Sequence, residues 1–347
     1  MSDYLNVKTP RFYTDMISYQ LSRGKAQNGN FDVLAEAGTI TGIRTGEEIE
    51  LFDLRPSNLV TLNTATNSGN DHVIVNIDVG DTTLKQGFVA ILNHNMKTAD
   101  AKLRLCSTDT ESQVQGVDFS GANARAMTEV VNGVPNADSD GTNIITPRHD
   151  GSTIVTFAEN NDRFWGLQFE GAASNTFDTS THMSIGCILI GEYFDMPFAP
   201  DLNVKQSIIF DKSKAQESLG GQRYSTMTSF GRNVSATSKS PFSTTTSNQQ
   251  VFGGRLAYNM AFSFMNSSEL MPDEYDTYNP TDDSFIEDVW NRTNGPHHPF
   301  ILSLDNSVSG DGNESSHVFA RFTQDALEMS QVASNMWNIN LKMEEEF

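Results

Sequence analysis

The chain has 347 residues, 37% of them hydrophobic, with 22 Phe against 3 Trp, and this length is above the usual size of one domain. Its 23 Lys and Arg face 44 Asp and Glu, a net charge of −21. That balance argues against binding a phosphate backbone, which needs a basic footprint, and opposes adsorption to anionic lipid. Apolar segments recur along the whole length, which excludes a disordered chain.

Residues 1–30 read as an arm. In "TPRFYTDMISYQLSRG", Phe12, Met16 and Tyr19 fall near one helical face, with Ile17 less regular, bracketed by Pro10 and Gly24. A short helix and an extended segment docked on a neighbour both fit. The opening "MSDYLNVKTPRFYTD" shows no basic stretch followed by an apolar core, so a soluble cytosolic chain is expected. No apolar run approaches the length of a membrane span.

From Phe31 the pattern changes to strands separated by turns. Candidates are "EEIELFDL", "NLVTLNTA", "DHVIVNIDVG", "GFVAILNHN", "AKLRLC", "STIVTFAE", "RFWGLQFEG" and "MSIGCILIGEYFDM". "HVIVNIDV" and "FWGLQFE" alternate as strands with one buried face do, whereas "GFVAILNHN" and "IGCILIG" are continuous apolar runs suited to burial on both faces. Short strands at this spacing predict a sandwich or jelly roll over 31–200.

"FDMPFAPDL" places a boundary near Ala199 to Leu202, and a second β-rich unit is expected over 201–347. There Tyr258, Met260, Phe262 and Phe264 alternate along one face. One short helix is predicted near 282–293, with Thr281 as N-cap, Phe285 and Val289 at i, i+4, and a stop at Asn294-Gly295-Pro296. The fold class is thus mainly β: two β-sandwich or jelly-roll-like domains with an N-terminal arm and one short helix in the second.

Candidate chemistry is sparse. "NADSDGTNIITP" sets Asn136, Asp138, Asp140 and Gly141 at calcium-loop offsets, but Pro147 stands where a bidentate Glu is required. "DNSVSGDGNE" fails in the same way. His94 in "ILNHNM" has no nucleophile motif to serve and reads as a structural residue at a strand end. His297 and His298 in "GPHHPF" would point to opposite faces of a strand, which makes a poor metal pair. The acid run "PDEYDTYNPTDDSFIED" could hold a glycosidase carboxylate pair, but a solvated loop leading into a helix explains it more simply. Cys106 and Cys187 sit on apolar strands and read as small buried hydrophobes rather than a disulfide. No catalytic, cofactor-binding or metal site is therefore assigned, and no cofactor is expected.

Three stretches together resemble virion structural proteins of tailed bacteriophages, marine ones above all, of the minor tail or baseplate type. They are "GFVAILNHNM" with "NDRFWGLQFEG" and "IGCILIGEYFDMPFAPDL", then "GGRLAYNMAFSFMN", then the stretch from "DDSFIEDVWNRTNGPHHPFILSLD" to "MWNINLKMEEEF". The resemblance implies a discoidin-like (galactose-binding-like) jelly roll for the first domain and a place in the virion, in the tail tip or baseplate, as a symmetric homo-oligomer without catalysis. It implies as partners other copies of the chain and other phage tail proteins, with host surface glycans if the protein is instead a receptor-binding adhesin; a head decoration protein is a further alternative. On this view the arm and the final "MEEEF" contact neighbouring subunits.

Overall fold

The computed structural model describes residues 7–22, 31–36, 42–65, 72–80, 87–115, 123–137, 143–171, 176–209, 214–226, 241–242, 255–273, 283–310 and 312–346. Twelve strands form the framework. In chain order they are β1 (Arg11–Asp15), β2 (His72–Asp78), β3 (Gly87–His94), β4 (Ala101–Thr108), β5 (Gly151–Phe157), β6 (Phe164–Gly171), β7 (Cys187–Asp195), β8 (Lys205–Ile209), β9 (Arg255–Asn266), β10 (Phe300–Ser303), β11 (His317–Phe322) and β12 (Met336–Glu345). A helix, α1 (Met16–Ser22), follows β1 directly.

An antiparallel sheet of eleven strands runs β8-β9-β12-β11-β10-β1-β7-β3-β5 and ends at Met127–Val131, with Met329–Ala333 paired beside β12. A seven-stranded sheet is built around β4, β6 and β2. From His72 to Asp195 the long strands pass repeatedly from one sheet to the other, so the two layers form a sandwich of jelly-roll type. Val89, Ile91 and Ile190 of the large sheet meet Val75, Leu105 and Trp165 of the small one in a single core. The mainly β, sandwich-type expectation holds.

The continuous apolar runs are explained by two covered faces. All eight residues of β3 are buried, and Cys187 to Glu192 of β7 likewise. One face turns to the sandwich core. The other carries Phe88, Leu92 and Leu189 against Tyr13, Ile301 and Phe319, beneath Leu54 and Phe242. Farther along the same sheet, β9 and β12 alternate buried and exposed residues, with Phe285, Ile286 and Val289 packed on their apolar face.

Residues 11–22 correct the picture of an arm reaching for a neighbour. β1 lies inside the sheet, pairing with β7 from Arg11↔Asp195 to Asp15↔Gly191 and with β10 from Arg11↔Ser303 to Tyr13↔Ile301. Phe12 is 0% exposed on one face and Tyr13 1% on the other. Both faces are thus buried within the chain itself, and strand and helix occur in succession instead of as alternatives. Strands from before and after residue 200 share this sheet, with β1 as the link between them. The chain end is woven in too. Met343 and Glu345 are buried, and the Glu345 carboxylate accepts from Leu256 N at 3.0 Å; Phe347 lies outside the described residues.

Two further expectations change. "EEIELFDL" is no strand: Glu48–Phe52 forms a 3-10 helix, closed by a reciprocal cap in which Glu47 N donates to Glu50 Oε2 at 2.8 Å. Leu51 and Phe52 are adjacent and both buried, which suits a helical turn better than a strand with one covered face. In β9 the alternation stops after Phe262. The register shifts between Phe262 and Met265, Phe264 takes φ 62° and is 64% exposed, and Met265 occupies the core instead. The predicted helix appears as a π-helical segment, Ile286–Asn291, with Phe285 and Val289 wholly buried. Ser284 Oγ accepts from Glu287 N at 3.3 Å; Thr281 lies outside the described residues.

Candidate functional site: a buried ionic joint and an adjoining cleft

The densest polar chemistry lies where β1, α1, β7 and the π-helical segment meet. Arg292, wholly buried, forms an ion pair with Glu192 and another, at 3.3 Å, with Asp288. Its Nη1 lies 3.5 Å from Met16 Sδ, and its guanidinium carbon is 5.8 Å from the Tyr19 ring centre. Thr14 Oγ1 donates to the Asp288 carbonyl at 3.0 Å. Two carboxylates held around one guanidinium in a dry joint offset the cost of burying each charge.

Asp15 opens α1. Its Oδ2 accepts from Ser18 N at 2.7 Å, the N-cap contact, while Oδ1 accepts from Ile190 N at 3.2 Å across to β7. Burial raises its pKa to about 6, against the lowering effect of the backbone bonds from Ser18 and Ile190. Gly191 permits this approach, because a Cβ there would stand 2.0 Å from the Thr14 carbonyl oxygen. Nothing in the sequence reading singled out Asp15 or Arg292. The only available signal was the N-cap pattern Asp15-x-x-Ser18, and Arg292 finds its partner 100 residues away.

Beside this joint a cleft of about 660 Å³ opens, lined by Tyr19, Trp290, Asn291, Asn294, His297 and Asp325. The turn that shapes it is where the sequence placed the helix stop, with Asn294 at φ 52° and Gly295 at φ 62°. Trp290 packs on Phe322 with ring centres 5.2 Å apart, which fixes one wall. A second cleft, of about 390 Å³, shares His297 and is bounded by Arg55, His298, Arg321 and Glu346.

The histidines singled out in the sequence separate. His94 is buried at the end of β3. Its Nδ1 accepts from Met96 N at 3.2 Å, which leaves the proton on Nε2 to donate to Thr153 Oγ1 at 2.9 Å. Burial drops its pKa to about 4, so it stays neutral and holds the turn. His297 and His298 lie in a turn rather than a strand. His297 is exposed at both clefts, and burial, with Arg321 and His297 nearby, lowers His298.

Cys106 and Cys187 are both free and buried, Cys106 in the small sheet and Cys187 in the large one. Burial raises the Cys106 thiol to about 12. Of the calcium-like loop, Asp138, Asp140 and Gly141 lie outside the described residues, as do 274–282 of the acid run. Among the described residues no group of three or more His, Cys, Asp or Glu is placed to hold a metal ion. Among them, too, no helix is long and apolar enough to cross a membrane.

No protein-family model matches the chain, and no curated protein matches it significantly. Among solved structures it is similar to chitosan-binding module 1 of a chitosanase/glucanase from Paenibacillus sp. IK-5, at 11% identity and TM-score 0.29, over 46% of this chain and 94% of that one. It is also similar to CBM32-1 from a family 31 glycoside hydrolase of Clostridium perfringens, at 10% identity and TM-score 0.28, over the same shares. Overlaps this slight leave the function of this chain to its own residues.

Proposed function

We propose that this chain is a structural, non-catalytic subunit that assembles symmetrically with copies of itself, in the tail tip or baseplate of a tailed phage as the sequence resemblance implies. The observation that supports it is the eleven-stranded sheet. It makes one stiff body of both halves, and its terminal strand β8 is exposed at all five residues, with Ile208 at 60%. An open edge that presents Ile208 and Ile209 on a stiff sheet is a template for further pairing. Light scattering coupled to gel filtration, followed by a density map of the intact virion, tests this. A strictly monomeric protein, or peptidoglycan turnover abolished by replacing one carboxylate, would overturn it.

The cleft at Trp290 favours a second function, an adhesin for host surface glycans. An indole wall beside two Asn side chains, a His and an Asp offers a stacking surface and directional polar groups, as a sugar requires. A glycan array probed with the native chain and with Trp290→Ala separates the two. Binding abolished by the substitution supports the adhesin, and no binding at all removes it.

A further inference from the structure

The second cleft, of about 390 Å³, meets the first at His297, which lines both. Arg321 builds the wall between them. Its Nη1 donates to the Pro296 carbonyl at 3.3 Å and to the His297 carbonyl, and its Nε donates to Glu346 Oε2 at 2.6 Å. Among the described residues these bonds leave Nη2 of the fork open. The opposite wall is residues 53–57, the turn that follows the 3-10 helix.

The polar groups left open in this cleft decide what it can hold. Both of its carboxylates are engaged. Asp53 Oδ1 accepts from Arg55 N at 2.8 Å and Oδ2 from Asn58 Nδ2 at 3.1 Å, while Glu346 takes the Arg321 bond. The donors are open. Arg55 is exposed at the mouth, and among the described residues its guanidinium forms no hydrogen bond or ion pair, reaching Asp53 only through space. His298 Nε2 is buried with no hydrogen-bond partner. Burial, with Arg321 and His297 nearby, lowers the pKa of this ring and keeps it neutral. A buried polar atom without a partner costs free energy that an incoming hydroxyl, able to donate or accept, recovers.

We propose that the second cleft is the acid-recognising half of the glycan site, so that the oligosaccharide bound carries a carboxylate, as a uronic acid does. One sugar unit stacks on Trp290, the chain crosses at His297, and the carboxylate of the next unit meets Arg55 and Nη2 of Arg321. Guanidinium groups match the planar carboxylate, and a neighbouring sugar hydroxyl reaches His298. The inference rests on the glycan-binding function proposed above and names its ligand class. The net charge of −21 repels an acidic sugar at long range. Salt at about 0.15 M screens that repulsion beyond about 8 Å and leaves contacts inside the cleft intact.

The test is an array of neutral, carboxylated and sulfated glycans at about 0.15 M salt, probed with the native chain, Trp290→Ala and Arg55→Gln. Glycans that the native chain binds and Trp290→Ala does not should be carboxylated. For one of them, calorimetric titration should show binding about tenfold weaker once its carboxyl is reduced to an alcohol. The intact glycan should bind Arg55→Gln about tenfold more weakly too, as loss of one charge-assisted hydrogen bond predicts. Arg55 is exposed and makes no side-chain bond among the described residues, so this variant should melt like the native chain. Binding confined to neutral or sulfated glycans would overturn the inference and leave the glycan function standing. So would carboxylated glycans that Arg55→Gln binds as tightly as the native chain. No binding at all would overturn both.

Discussion

The two ends of the large sheet obey different rules. At β3 and β7 the sheet is covered on both faces, by the smaller sheet below and by Phe242 and Leu54 above. Toward β9, β12 and β8 burial falls to alternation and then to full exposure. Between them stands β1, whose Phe12 packs against Phe285, Phe300 and Phe322, and whose Tyr13 meets Phe88 at 5.0 Å. The contrast teaches that the two halves of the chain differ in covering layers but share one hydrogen-bonded sheet, joined by a strand from the N-terminus. Experiments that remove the joint should therefore do more than experiments on either end.

Deleting residues 1–23 should have the largest effect. It withdraws an interior strand and uncovers the strand edges of β7 and β10, so loss of cooperative unfolding by calorimetry is expected. In the intact chain a single transition should be seen. Two separated transitions, or stable proteolytic fragments cut near residue 200, would show that the halves fold as separate domains despite β1.

Next in size is Arg292→Met, which leaves Glu192 and Asp288 buried without their cation and should cost ~3–5 kcal/mol in chemical denaturation. Phe12→Ala at the same joint should cost ~3–5 kcal/mol through lost burial and a cavity. Either variant at native stability would mean that β1 contributes less than its burial suggests.

Acidification samples both halves through one buried histidine in each. His94 and His317 are lowered to about 4 by burial, from an unfolded value near 6.5. Their folded forms favour the neutral ring, so their contribution is complete above pH 6.5 and lost as pH falls toward 4, on the order of 3 kcal/mol each. Asp15 acts in the opposite direction. Its pKa is raised to about 6, so its penalty is full above pH 6 and relieved as pH falls to 3.8. Two histidines outweigh one carboxyl, and the melting temperature should fall between pH 7 and pH 4.5. His94→Gln should flatten that slope; an unchanged slope would remove His94 from the account.

The smallest effect should lie on the alternating end. Phe264 holds φ 62° while exposed, a backbone conformation that costs a non-glycine residue ~1–2 kcal/mol. Phe264→Gly should leave stability unchanged or raise it by about 1 kcal/mol, whereas Phe262→Ala should lower it by ~3–5 kcal/mol. Equal losses at the two positions would show that Phe264 has a packing role.

Much of the fold was legible in the sequence because the covering layers leave a periodic imprint. Continuous runs such as "GFVAILNHN" marked double burial, and Tyr258, Met260 and Phe262 marked a single buried face. The imprint failed where geometry departed from the period. At Phe264 an irregular step reverses which residue faces inward, and at Glu48–Phe52 a capped turn imitates strand composition. Of the candidate site, the stop at Asn294-Gly295 and the burial of Val289 were legible in the local pattern. It could not give Arg292 with Glu192, or Tyr19 beside Trp290, because those pairs are made by distant segments.

Composition and local pattern alone determined that this chain is mainly β and strongly acidic. These properties follow from residue type and from neighbours one or two positions away. Tertiary structure alone decided that residues 11–15 are the middle of a sheet rather than an arm. A five-residue strand carries too little pattern to name its partners, and only backbone pairing with β7 and β10, 176 or more residues later, specifies where it belongs.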